Sequence, residues 1–111
     1  MVKIGGNITA TIQVKSCKTD SKGIQTTEWN DYTSLPGWLD LSSGDSQYSN
    51  FNAKIQESTH VFLCDYANLD GIEAEDCRMI IGGKIYNVML IDDPMELHEH
   101  LEIYLKYIGG Q

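Results

Sequence analysis

The densest group of chemically capable side chains is Asp92-Asp-Pro-Met-Glu-Leu-His-Glu-His100, with Glu102 just beyond it. Imidazole and carboxylate together make a ligand set for zinc and similar divalent ions. His98 and His100 are two residues apart, so on a strand they share one face. A catalytic zinc centre needs a third protein ligand, and neither H-x-x-x-H nor a distant Cys/His pair accompanies them. A solvated acidic turn with two surface histidines is the more economical reading, and no metal ligand is assigned. A second group, Ser58-Thr-His60 with Cys64 on the same strand face, offers a nucleophile beside a base. It lacks an evident orienting group, and no G-x-S-x-G elbow occurs. His60 is better read as buried or at a rim, hydrogen-bonded to a neighbouring strand. Neither G-x-x-x-x-G-K-[ST] nor G-x-G-x-x-G is present to cradle a phosphate. No catalytic residue and no cofactor is therefore assigned. A small metal-dependent or hydrolytic enzyme stands as the alternative from a different class, and a monomeric ligand-binding barrel as another.

Charge narrows the partners. The chain carries a net charge of −8 and a pI near 4.6, which opposes a nucleic-acid binder that works by phosphate neutralisation. The distribution is uneven. Residues 1–27 hold Lys3, Lys15, Lys18 and Lys22 against Asp20, a net +3, while residues 28–111 hold four basic residues against fifteen acids, a net −11. An acidic body with a basic N-terminal segment suits a subunit that docks between differently charged neighbours, although an acidic surface also simply keeps a protein soluble. Cys17, Cys64 and Cys77 are odd in number and have no C-x-x-C spacing, so free thiols are expected. Asn7-Ile-Thr9 matches a glycosylation sequon, but the first fifteen residues have no apolar secretory region to give it meaning. No stretch approaches the roughly 20 apolar residues of a membrane helix.

The elements that must position these residues read as strands. A chain of 111 residues fits one domain, since single cores occupy on the order of 100–150 residues. In Ile8–Val14, Ile8, Ala10, Ile12 and Val14 alternate with Thr9, Thr11 and Gln13, the mark of a half-buried strand. Cys17–Gly23 reads as a turn and Ile24–Trp29 as the antiparallel partner, an N-terminal hairpin within residues 1–29. Asn30–Gly37 reads as an irregular connection, because Pro36-Gly37 is a turn dipeptide, and Trp38–Leu41 as a short strand. The polar stretch from Ser42 to Asn52 has no period and marks a mobile loop over residues 42–52. His60–Tyr66 is strand-like, and Asn68–Asp76 is acidic and turn-rich. Arg78–Ile81 and Lys84–Ile91 form a hairpin around Gly82-Gly83. At the C-terminus Leu97, Leu101, Tyr104, Leu105 and Ile108 have helical spacing, while Leu101, Ile103, Leu105 and Tyr107 alternate like a strand, so pattern leaves both open. Ile-Gly-Gly recurs at 4–6, 81–83 and 108–110, which reads as three turns of similar make-up. Trp29, Trp38, Phe51 and Phe62 are expected core or loop-anchoring aromatics, with an interface anchor the sharper alternative for Phe51 in the polar loop. The fold class is all-β: a small antiparallel barrel or sandwich with a long polar loop.

The order of these pieces resembles the head–tail joining proteins of tailed bacteriophages and prophages, also called head-completion or stopper proteins. The likeness runs from Gly37-Trp-Leu-Asp-Leu-Ser-Ser-Gly-Asp45 through the strand Glu57-Ser-Thr-His-Val-Phe-Leu-Cys-Asp-Tyr66. It continues through the R-x-x-x-x-G-K-x-Y-x-V hairpin, Arg78 to Val88, the D-x-P turn Asp92-Asp-Pro-Met95 and the apolar run from Leu101 to Ile108. No single piece is a catalytic motif; order and spacing carry the likeness together. It implies a non-enzymatic homo-oligomer, a dodecameric ring in the virion neck, assembled in the bacterial host cytoplasm. The portal adaptor would lie above it, the tail terminator or tail tube below, and packaged DNA in its lumen without sequence-specific binding or any membrane. Ser43, Gly44, Asp45, Ser46, Gln47, Tyr48, Ser49, Asn50, Phe51 and Asn52 match the family's channel loop, which retains DNA. The resemblance also favours a strand at the C-terminus. Tail terminators and tail-completion rings share this small barrel and are the alternative within the same machine.

Overall fold

The computed structural model describes residues 5–41 and 58–110. It has six strands: β1 (Ile8–Thr19), β2 (Gln25–Leu41), β3 (His60–Asp65), β4 (Cys77–Ile81), β5 (Lys84–Asp92) and β6 (His100–Gly110). All neighbours are antiparallel, and the sheet closes into a barrel in the order β1-β2-β3-β6-β5-β4. Closure removes the unpaired edge that an open sheet of this size would expose.

Alternation builds the core. Ala10 and Ile12 of β1, Phe62 and Cys64 of β3, Met79 of β4, Val88 of β5 and Leu101, Ile103 and Leu105 of β6 point inward and are buried, while Ile8 and Val14 pack at its margin. The C-terminal ambiguity resolves as a strand. β6 lies between β3 and β5 and pairs with both, so its period-two residues Leu101, Ile103 and Leu105 all reach the interior. The helical alternative would leave β3 and β5 each with an unpaired edge.

The largest departure from the sequence reading is β2. Asn30–Gly37 is no irregular connection, and Trp38–Leu41 is no separate strand; both belong to one strand of 17 residues. It pairs with β1 from Gln25 to Gly37 and then with β3 from Gly37 to Leu41. Pro36-Gly37 does not turn the chain. Gly37 is instead the point of closest approach: a Cβ there would sit 2.4 Å from both the Leu63 carbonyl oxygen and the Phe62 ring. Glycine lets the Phe62 ring press against the strand backbone. The expected turn at Cys17–Gly23 is also shorter, because β1 runs on to Thr19. Ile81-Gly-Gly83 makes a hairpin turn, with Gly82 and Gly83 at positive φ, whereas Ile108-Gly-Gly110 lies within β6.

Two long strands outrun the barrel. β1 pairs with β4 only over Ala10–Val14, and β2 reaches β3 only from Gly37 onward. Lys15–Thr19 and Gln25–Trp29 thus pair only with each other. They form a two-stranded arm of about 17 Å at ~3.4 Å per residue, which matches molecular extents of 51 × 30 × 28 Å.

Candidate interaction surface at the acidic end of the barrel

The ends of β3 and β5 and the starts of β4 and β6 meet at one end of the barrel, together with the connections 66–76 and 93–99. Asp65, Asp70, Glu73, Glu75, Asp76, Asp92, Asp93, Glu96, Glu99 and Glu102 all fall in these segments, and the connections 66–76 and 93–99 contain no lysine or arginine. Asp92 and Glu102 stand directly opposite across β5 and β6. Burial, then Glu102 and Asp93, raise the Asp92 carboxyl above its ordinary value, against a lowering by His100. Glu102 accepts hydrogen bonds from the Tyr104 hydroxyl (3.0 Å) and contacts His100 Nε2 (3.2 Å). Burial and this hydrogen bond hold the Tyr104 phenol up at about 12.

The turn between β5 and β6 is strained. Met95, Glu96 and His98 all have positive φ without being glycine, a conformation that costs on the order of 1 kcal/mol each. Asp93 over-determines it: one carboxylate oxygen accepts the His98 backbone N–H at 3.0 Å, and the other meets His98 Nδ1. The His98 ring packs on Tyr66 with centroids 4.4 Å apart. Met95 is consequently held 87% exposed and Leu97 56% exposed. Both histidines of the sequence cluster are thus engaged by carboxylates, but His98 precedes β6, so the two do not share a strand face as expected. Among the described residues, no three His, Cys, Asp or Glu side chains gather as a ligand set.

Beside this turn lies a groove of about 440 Å³. Leu69, Ile72, Leu90, Ile91 and Leu101 give it an apolar floor, and Asp70, Glu73, Glu75 and Asp93 its charge. Leu69 is pinned into the core at 8% exposure, and turns on either side of it, with N–H groups of Asp70 and Ile72 bonded to Asn68 Oδ1 and the Leu69 carbonyl, shape the wall.

The other sequence candidates have structural roles. Thr59 Oγ1 accepts the Tyr107 N–H at 2.8 Å, and the Thr59 N–H donates to the Leu105 carbonyl at 2.8 Å, so the Ser-Thr-His segment fastens β3 to β6. His60 contacts the Thr59 hydroxyl through Nδ1 (2.8 Å) and meets Tyr86 edge-on at 5.2 Å. Burial and Asp65 push the Cys64 thiol up to about 11, which disfavours the nucleophilic thiolate. Burial, Asp76 and Glu73 raise Cys77 as well. All three cysteines are free thiols. Trp38, expected as a core or loop-anchoring aromatic, lies outside the core at 43% exposure, on the outward face beside Gly37. The channel-loop residues Ser43 to Asn52 lie outside the described residues.

The role of one residue, read in the sequence only as the start of a hairpin, emerges from the structure. Arg78 of β4 lies 4.4 Å over the Trp29 ring of β2, and its Nε–H donates to Gln13 Oε1 of β1 at 2.7 Å. Gln13 in turn donates to Asp31 of β2 at 2.8 Å. This clamp spans three strands at the root of the arm, where a bulge shifts the register between Ile12 and Gln13. The visible signal was an arginine placed in an otherwise apolar strand.

Arm, strained knob and acidic groove define a small β-barrel built to present surfaces. The sequence matches the phage head completion protein family over residues 7–106, and the chain belongs to that family. It is accordingly a structural component of bacteriophage particles. No curated protein matches it in sequence. Among solved structures, a Shigella flexneri 2a protein determined in solution has the same fold at a TM-score of 0.67 and 17% identity, covering 96% of each chain. A chain in the virion of a native gene transfer agent particle gives a TM-score of 0.60 at 14% identity, over 92% of this chain and 94% of that one.

Proposed function

We propose that this protein is a non-enzymatic subunit of the phage neck, a head–tail connector or stopper that forms a dodecameric ring. The ring extends the portal channel beneath the adaptor, helps retain packaged DNA and receives the tail. Family membership over residues 7–106 carries this reading. The whole chain acts as one connector domain, virion-bound once assembled and free in the host cytoplasm before that.

Residues 43–52 are the segment proposed to meet DNA. Their composition supports this, as does the anchoring of the whole 42–57 connection: Leu41 and His60 on either side of it are paired partners at one barrel end. An acidic wall suits a channel through which DNA slides, since like charge removes the attraction that comes from counterion release.

Electron microscopy of particles from a host lacking this gene alone tests the role. Separate tails beside tailless, partly emptied heads are expected; finished DNA-filled tailed particles would overturn it. Deleting Ser46–Asn50 should leave thermal unfolding unchanged while lowering DNA retention in assembled particles. Normal retention would remove the gating role and leave the connector role standing.

A further inference from the structure

The arm ends in a tip whose order is local. Asp20 Oδ1 accepts the N–H groups of Lys22 (2.8 Å) and Ile24 (2.9 Å), while backbone bonds join Gly23 N–H to the Asp20 carbonyl and Asp20 N–H to the Ile24 carbonyl. Gly23, at φ +80, completes the turn. A rigid tip of this kind holds Ile24 56% exposed, at the far end of an arm in which no residue is buried. Lys22 beside it forms no ion pair among the described residues. An aliphatic side chain and a cation are thus displayed together.

The groove offers the complementary pair, an apolar floor with carboxylates around it and no lysine or arginine in its lining. Strand order decides how the two can meet. In the closed order β1-β2-β3-β6-β5-β4, the arm's strands β1 and β2 lie across the barrel from β6 and β5, which supply Leu90, Ile91 and Leu101 to the groove. Most of the rest of the groove is the 66–76 connection, at the same barrel end as the root of the arm, where Lys15 reaches Asp76 at 4.0 Å. The tip stands about 17 Å beyond that root, so tip and groove are separate surfaces of one molecule.

We propose that the arm tip of one copy seats Ile24 and Lys22 in the acidic groove of the next copy of this chain. A tip on one surface and a socket on a different surface make a heterologous, head-to-tail contact, which closes into a ring when the rotation between copies allows it. Buried Ile24 supplies apolar contact, and Lys22 faces Asp70, Glu73 and Glu75, so the interaction weakens with salt. This inference rests on the connector reading and names the surfaces by which its subunits join.

The test uses particles made in a host whose deleted gene is complemented by Cys17→Ser carrying Ile24→Cys and Ile72→Cys together. After mild oxidation, the double variant should give a ladder of dimers, trimers and larger cross-linked species. Each single cysteine variant should give dimers at most. In the cysteine-free-tip background, Lys22→Glu should lower the yield of tailed particles, and adding Glu73→Lys and Glu75→Lys should restore it. Tailed particles that contain the double variant yet show no species beyond dimer would overturn the proposal, as would cross-links within one chain or to a different protein. Tailed, DNA-filled particles formed without any copy of the protein would instead sink the connector reading.

Discussion

The barrel and its arm are made from the same two strands, yet different forces hold them. Inside the barrel β1 contributes Ala10 and Ile12 to a core in which Phe62, Met79, Ile103 and Leu105 are also almost fully buried. A few residues later, from Lys15 onward, the same strand buries nothing. An isolated two-stranded ribbon is marginal in water. This one is kept ordered by small polar contacts, among them Lys18–Glu28 at 3.1 Å, Asn30 to Ser16 at 3.1 Å and the Asp20 tip. Each is worth tenths of a kcal/mol to about 1 kcal/mol. The contrast teaches where selection for stability ends: the barrel specifies the fold, and the arm is ordered surface held out for a partner.

The sharpest way to break that contrast is to truncate one apolar residue in each region. Phe62→Ala should destabilise the protein by about 3–5 kcal/mol through a core cavity, read as a lower denaturant midpoint. Ile24→Ala should change the unfolding free energy by less than about 0.5 kcal/mol. A large loss from Ile24→Ala would mean that the arm is part of the core's cooperative unit.

Intermediate effects belong to the junction. Arg78→Ala removes the cation over Trp29 and leaves Gln13 without its donor, so a loss of about 1–2 kcal/mol is expected. Amide exchange should rise from Lys15 to Asn30 while β5 and β6 stay protected. Uniform exchange through the whole molecule would show that Arg78 supports the barrel and not the direction of the arm.

How much of this was legible in the sequence follows the same division. Residues facing a closed core must alternate, so β1, the Gly82-Gly83 hairpin and the all-β class could be read directly. Gly37 and Pro36 were misread because turn chemistry is a local signal, while the need for a bare backbone against Phe62 arises only when distant strands meet. The His98–His100 pair was misplaced for a related reason: Asp93 captures His98 in a turn and delays the start of β6 to His100. The role of Arg78 was passed over since its partners, Gln13 and Trp29, are far from it in sequence. The groove could not be read at all, as it draws on three separate stretches, 66–75, 90–93 and 98–101.

The smallest expected effect lies within the barrel's own acidic end. Asp92 and Glu102 oppose each other across β5 and β6, and like charges so placed destabilise a sheet by roughly 0.2–1 kcal/mol. Solvent screening of the half-buried pair keeps the value near the lower limit. Because folding raises the Asp92 carboxyl above its ordinary range, the folded state favours the proton. The contribution is favourable below the unfolded value and is lost as pH rises through the folded one. Asparagine mimics the protonated form at every pH, so Asp92→Asn should raise the melting temperature slightly at pH 7. The gain should shrink toward pH 4, where aspartate itself becomes protonated. Exchange in the arm should not respond, since its order depends on Asp20 and the Arg78 clamp. Extra protection of Lys15–Thr19 in this variant would show that barrel and arm share one energetic unit, and the division drawn between them would fail.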